Sequence, residues 1–251
     1  MIAGAAAALV LLAAGECGLP PLRPGPLPWR PGEVVSYDFD VMGIVKAGTL
    51  SLEAQRPMFQ GSQLPVLARL RDTSVFAKVR RIEGVILSWM DARTLLPERY
   101  REELADGGVV KSTDVRLRAR PGEVTLDNRT GDEAESTTFQ RQGEVIDVLS
   151  GAYYLRAADL RPGQQLCFDL VATRQYWRVR GRVAPRTERV DSGVGTRDAV
   201  RVDLSATRAD KPEVTRDLHV WISTDPRHHL IAAVTEVGLG PVRVMLARAS
   251  R

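Results

Sequence analysis

From Glu33 onward, apolar and polar residues alternate with a period of two, which places successive side chains on opposite faces of an extended chain. Val35, Tyr37, Phe39 and Val41 alternate with Ser36, Asp38 and Asp40. Leu50, Leu52 and Ala54 alternate with Thr49, Ser51 and Glu53, and Val66, Ala68 and Leu70 with Leu67, Arg69 and Arg71. Gly43 between the first two runs predicts a hairpin. The pattern continues through Val85 to Trp89, Glu98 to Leu104, Val110 to Leu117 and Glu123 to Leu126, broken by Asp106-Gly107-Gly108 and Arg120-Pro121-Gly122 turns. It resumes in Leu166, Phe168 and Leu170, in Trp177, Val179 and Val183, and in Val200, Val202 and Leu204. Leu218, Val220 and Ile222 come next, and Val242, Val244 and Leu246 end the series.

One segment departs from this period. Asp147 to Arg156 puts Val148, Ala152 and Leu155 on one helical face, with Asp147 placed as N-cap and Pro162-Gly163 as the stop signal beyond its C-terminal end. Gly151 inside it costs a helix about 1 kcal/mol relative to alanine, so a close neighbour is expected on that face. Many short strands and one short helix predict an all-β, mainly antiparallel fold: a large curled sheet or open barrel wrapped around the helix as a core plug.

The chain opens differently. Met1 to Gly15 is an apolar, Ala- and Leu-rich run too short to cross a bilayer, followed by Cys17 and by Pro20, Pro21, Pro24, Pro26, Pro28 and Pro31. This predicts a signal peptide over residues 1–17, a Pro-rich linker over 18–31 and a single β-rich domain over 32–251. Cys17 stands where a bacterial lipoprotein is lipidated, although Glu16 replaces the small residue expected before it; cleavage near Ala14 or Gly15 is the rival. Either route leaves Cys167 as the one unmodified cysteine, so no internal disulfide is expected.

Composition adds little to this picture. The 251 residues are 44% hydrophobic and 26% charged, which suits a folded domain rather than a disordered chain. The formal charge of +4 comes from acidic and basic residues interleaved along the chain, a solvated mixed surface with no nucleic-acid partner expected. The most basic strand aligns Arg178, Arg180 and Arg182 on one face, where an anionic lipid or polysaccharide would be the counter-ion in an envelope compartment.

Chemistry is sparse. No Gly-x-Ser-x-Gly elbow surrounds Ser150, Ser192 or Ser223, and only His219, His228 and His229 could act as base. Adjacent His228 and His229 point apart if extended, so neither a metal site nor a cofactor is expected. Gly193-Val194-Gly195 and Gly238-Leu239-Gly240 lack the flanking elements of nucleotide loops. A hydrolase of envelope polymer would rest on paired carboxylates such as Glu102 and Glu103, whose spatial separation the sequence does not give.

Three stretches resemble the exported bacterial family known as domain of unknown function 3108: Gly32 to Tyr37 with Gly43-Ile44 and Ala47-Gly48; Asp147 to Ser150 through Tyr153 to Arg156 with Gly163; and Val220 to Asp225 followed by Arg227. His229-Leu230 stands where the family usually has a proline. The resemblance implies a periplasmic or outer-membrane-facing protein, an open curled sheet around a helix similar to lipoprotein carriers, and no catalytic residues. The resulting expectation is a non-enzymatic envelope protein that binds an apolar or lipid-like component or assists envelope assembly. Tyr153, Tyr154 and Trp221 are the expected ligand-lining residues, and a lipid on Cys17 would be the only membrane anchor. A carboxylate-dependent hydrolase and a scaffold without small ligand are the alternatives.

Overall fold

The computed structural model describes residues 17–41, 45–78, 81–117, 122–237 and 240–250. The first half holds β1 (Val34–Val41), β2 (Val45–Ala54), β3 (Gln63–Asp72), β4 (Ile82–Asp91), β5 (Pro97–Asp106), β6 (Val109–Arg116), β7 (Glu123–Thr130) and β8 (Glu133–Gln140). The second half begins with β9 (Val145–Asp147) and α1 (Val148–Ala157) and continues with β10 (Gln165–Ala172), β11 (Gln175–Val190) and β12 (Arg197–Arg208). It ends with β13 (Thr215–Ser223), β14 (Leu230–Val237) and β15 (Gly240–Ala249).

These fifteen strands form one sheet, in the order β8-β7-β6-β5-β4-β3-β2-β1-β15-β14-β13-β12-β11-β10-β9. Neighbouring strands are antiparallel except β9 and β10, which run parallel because α1 and its flanking chain connect them. The all-β, mainly antiparallel expectation holds. Register explains the core: Tyr37 faces Leu50 on one side and Leu246 on the other, while Leu52 faces Ala68. The apolar set of each strand thereby lands on one face of the sheet, and that face is concave.

The sheet curls until its two ends meet. Tyr100, Val115 and Leu126 from β5–β7 pack with Val145, Val171 and Tyr176 from β9–β11. Phe139 of β8 stacks on Tyr176 with ring centroids 4.8 Å apart, and Arg178 donates to the Gln140 carbonyl at 2.6 Å. A larger cluster fills the rest of the interior around α1.

Helix α1 starts where the capping residue says it should. Asp147 Oδ1 accepts from the Leu149 and Ser150 amides, and Ser150 Oγ accepts from the Asp147 amide, so two orphan donors are satisfied reciprocally. The helix ends at Ala157, well before Pro162-Gly163, because Ala158 is already extended. Its buried face is wider than the Val148, Ala152 and Leu155 stripe. Leu149, Tyr153, Tyr154, Leu155 and Arg156 are all buried and Val148 is exposed, since a helix enclosed by a curled sheet meets core on several sides. A Cβ on Gly151 would lie 3.1 Å from Ile146 Cδ1, which is the close neighbour its glycine implied.

Two expectations about the N-terminal region are corrected. The first is the linker: residues 18–31 pack onto the domain. Leu22 pairs with Ala158 and Gly18 with Leu166, the Asp159 amide donates to Pro21 O, and Trp29 is buried. Prolines end a helix without preventing an extended strap from burying the leucines between them. The second is the absence of an internal disulfide: Cys17 is bonded to Cys167 on β10. Parallel pairing of Gly18 with Leu166 brings the two cysteines together, which no spacing in the chain signals. The segment before Cys17 expected to be a signal peptide lies outside the described residues.

Candidate functional site

The strap crosses the C-terminal end of α1, and the side chains it covers form a connected polar cluster of the interior. Arg156, the last-turn cation, is held there by three elements. Its Nη1 donates to Glu33 Oε1 at 2.7 Å, while Nε and Nη2 donate to the His228 and Arg227 carbonyls of the β13–β14 turn, each at 3.2 Å. The guanidinium also lies 5.3 Å from the Trp29 ring centroid and 5.4 Å from that of Tyr153. Every donating nitrogen thus meets an acceptor while aromatic rings exclude water, which is how a buried arginine is tolerated.

His229 closes this cluster. It is buried, and its Nε2 lies 4.0 Å from Glu33 Oε2 without a hydrogen-bond partner. Burial, with Arg156 adding to it, pushes its pKa below the ordinary histidine value, so the ring is held neutral. Ser223 Oγ is likewise buried and unpartnered, so His229 does not hold it as a base holds a nucleophile. The His228 Nδ1 contacts the Ser223 carbonyl and is spent on its own turn.

Two surface clefts flank this cluster and share Pro226 and Arg227. One, about 640 Å³, is walled by Val194, Arg197, Asp225, His229 and Ala249. The other, about 440 Å³, is walled by the strap residues Leu27 to Pro31 together with Glu33 and Ser250.

The expected ligand-lining residues do not converge. Tyr153 and Tyr154 both belong to the packed core; Tyr153 meets Trp29 edge-on at 4.9 Å, and Tyr154 Oη donates to Pro20 O at 2.9 Å. Tyr153 Oη is buried without a partner, and burial drives its pKa well above the ordinary tyrosine value. Trp221 sits on the opposite face of the sheet, where its Nε1 donates to Glu188 Oε2 at 2.8 Å. The alternation with buried Val220 and Ile222 assigns it there.

The other chemical candidates are likewise dispersed. Glu102 and Glu103 are neighbours on one strand and therefore face apart: Glu102 is buried against Tyr100, and Glu103 is exposed beside Arg101. Arg178 is bound to Asp169 at 2.7 Å and to the Gln140 carbonyl, so the arginine stripe loses its first member to the seam that closes the sheet. His219 is on the outer face, 2.6 Å from Asp203. Among the described residues no cluster of His, Cys, Asp and Glu has metal-ligand geometry. Cys17 is occupied by its disulfide and carries no free thiol. Trp29, Glu33 and Arg156 were missed as a site because they come from three separate segments; the signal available was Trp29 amid prolines and a lone arginine closing a helix.

Comparison with known proteins agrees with the architecture. The family model described as "Protein of unknown function (DUF3108)" matches residues 35–247. The chain is similar in fold to a β-barrel-like DUF1849 protein from Brucella abortus, at 10% identity and a TM-score of 0.58, covering 87% of this chain and 96% of that one. A protein with a YmcC-like fold from Bacteroides fragilis aligns over 88% of this chain and 97% of its own, at 9% identity and a TM-score of 0.35. No curated protein matches the chain significantly.

Proposed function

The chain belongs to the DUF3108 family, and on that footing we propose that it is an exported, non-enzymatic envelope protein that binds an apolar or lipid-like envelope component beneath its N-terminal strap. The observation that carries this reading is what covers the tyrosines of α1. Leu19, Leu22, Leu27 and Trp29 of the strap pack against the core there, in place of any strand of the sheet. Six prolines between residues 20 and 31 remove backbone donors, so the strap is joined to the domain by few backbone hydrogen bonds. The strap belongs to none of the fifteen strands, so its departure breaks the Gly18–Leu166 and Leu22–Ala158 bridges but no pairing between strands of the sheet. An apolar ligand taking its place would gain roughly 25 cal/mol per Å² removed from water, giving broad selectivity among hydrocarbon tails.

Export is supported by the apolar run ahead of the prolines and by the Cys17–Cys167 disulfide, which suits an oxidising compartment such as the periplasm. The second reading is a scaffold without small ligand, favoured by an interior already filled by α1, the strap and two core clusters. Uptake of the uncharged fluorescent probe N-phenylnaphthylamine separates the two. The carrier reading expects saturable uptake that rises when Leu22→Ala and Trp29→Ala loosen the strap, together with co-purifying lipid in native mass spectrometry. Protein that is ligand-free and refuses the probe in both forms would leave the scaffold.

A further inference from the structure

An amphiphile whose tail lies beneath the strap needs a place for its head group, and the outer arginine stripe is on the wrong face of the sheet. The clefts beside the β13–β14 turn are on the right one. The smaller adjoins the strap residues Leu27 to Arg30 and shares Pro226 and Arg227 with the larger, whose wall adds Arg197. Three guanidinium groups are spread over the two clefts, Arg30 in the smaller, Arg197 in the larger and Arg227 in both, and face Asp225, whose Oδ2 is 4.0 Å from Arg197 Nε and whose Oδ1 accepts from the Arg227 amide at 2.9 Å. Glu33, the other carboxylate there, is neutralised by Arg156 at 2.7 Å. The remaining wall is apolar, from Val194, Pro226 and Ala249.

A buried polar atom is also left over. His229 is 7% exposed and its Nε2 lacks a partner, although it forms part of the wall of the larger cleft. That nitrogen lies 4.0 Å from Glu33 Oε2, on the side of the buried Arg156–Glu33 pair. The two clefts over β6–β8 lack this character, one lined by Asp114, Glu123 and Asp127 against Arg116 and the other by Asp114, Asp127 and Glu135 against Arg101 and Arg129.

We propose that the cleft between the β13–β14 turn and β15 holds the phosphate head group of an anionic phospholipid, with Arg197 and Arg227 as its counter-ions. This rests on the carrier reading for the fate of the tail, while the head-group site is read separately. Guanidinium groups suit phosphate oxygens because their donors form a planar fork. Val194, Pro226 and Ala249 favour a phosphate that carries an apolar substituent over one that is free in solution.

The test is calorimetric titration of the disulfide-bonded protein with short-chain phosphatidylglycerol, short-chain phosphatidylcholine of equal tail length and inorganic phosphate. Saturable binding of phosphatidylglycerol, at least about tenfold tighter than either other ligand, is expected. Arg197→Gln and Arg227→Gln should each weaken it about tenfold. Equal binding of phosphatidylcholine would overturn the proposal, as would an affinity unmoved by both substitutions. Phosphate binding as tightly as the lipid would overturn the lipid assignment. Loss of probe uptake with intact phosphatidylglycerol binding would remove the strap reading and support the head-group site alone.

Discussion

Arg156 and Glu33, 123 residues apart, form an ion pair at 2.7 Å with side chains only 3% and 8% exposed. The pair joins the last turn of α1 to the chain entering β1, beneath the Trp29 ring. Removing one member leaves the other buried without its partner, which costs more than the pair itself contributes. Arg156→Ala should therefore destabilise the protein by about 3–5 kcal/mol in urea denaturation. The double variant with Glu33→Gln should be less destabilised than the sum of the single changes, the coupling expected of neighbours in one network. Simple additivity would mean that the two groups act independently.

Asp147 predicts an unusual pH dependence. Burial pushes its carboxyl up to about 6, above the ordinary 3.8, against the opposing hydrogen bonds from Ser88, Ser150 and Leu149. Because the folded value is the higher one, the native state binds an extra proton between these limits. The contribution is fully present below 3.8 and is lost as pH rises through about 6. Glu102, also raised by burial, acts in the same direction. Relative to Asp147→Asn, which keeps a capping side chain, wild-type protein should gain about 1 kcal/mol between pH 7 and pH 5. Denaturation curves of both proteins at the two pH values measure this; parallel behaviour would place the carboxyl at an ordinary pKa.

The Cys17–Cys167 bond closes a loop over a sequence separation of 150. Cys167→Ser should lower stability by about 2–5 kcal/mol and free the start of the strap. Maleimide labelling of the exported protein without reductant should find no free thiol. A labelled Cys167 accompanied by a lipid-modified Cys17 would instead assign Cys17 to an anchor.

Gly193 tests the wall of the proposed head-group cleft. A Cβ there would come within 2.6 Å of the Ala247 carbonyl oxygen and 2.7 Å of Ala247 Cα, backbone atoms of β15 that have little freedom to move. Gly193→Ala should cost about 1–3 kcal/mol by overpacking and should shift the neighbouring Val194. An unchanged melting midpoint would show that the loop does not press on β15 in solution.

The strands and their faces were readable because alternation is a local property: once Tyr37 points inward, Ser36 and Asp38 must point outward. The same rule already separated Trp221 from Val220 and Ile222. The start of α1 was readable for a similar reason, since Asp147 and Ser150 satisfy each other within one turn. What joins distant segments has no period to betray it. Six prolines excluded a helix but left open whether the strap was free or bound, because that depends on the apolar surface that α1 and the curled sheet leave uncovered. Cys17 met Cys167 only after Gly18 had paired with Leu166, and Arg156 found Glu33, Arg227 and His228 only because the curl brought β1 and the β13–β14 turn to one end of the helix. The sequence by itself determined which side of each strand is apolar, whereas the tertiary structure decided which buried charges and cysteines meet, because those encounters depend on sheet curvature and chain return rather than on neighbouring residues.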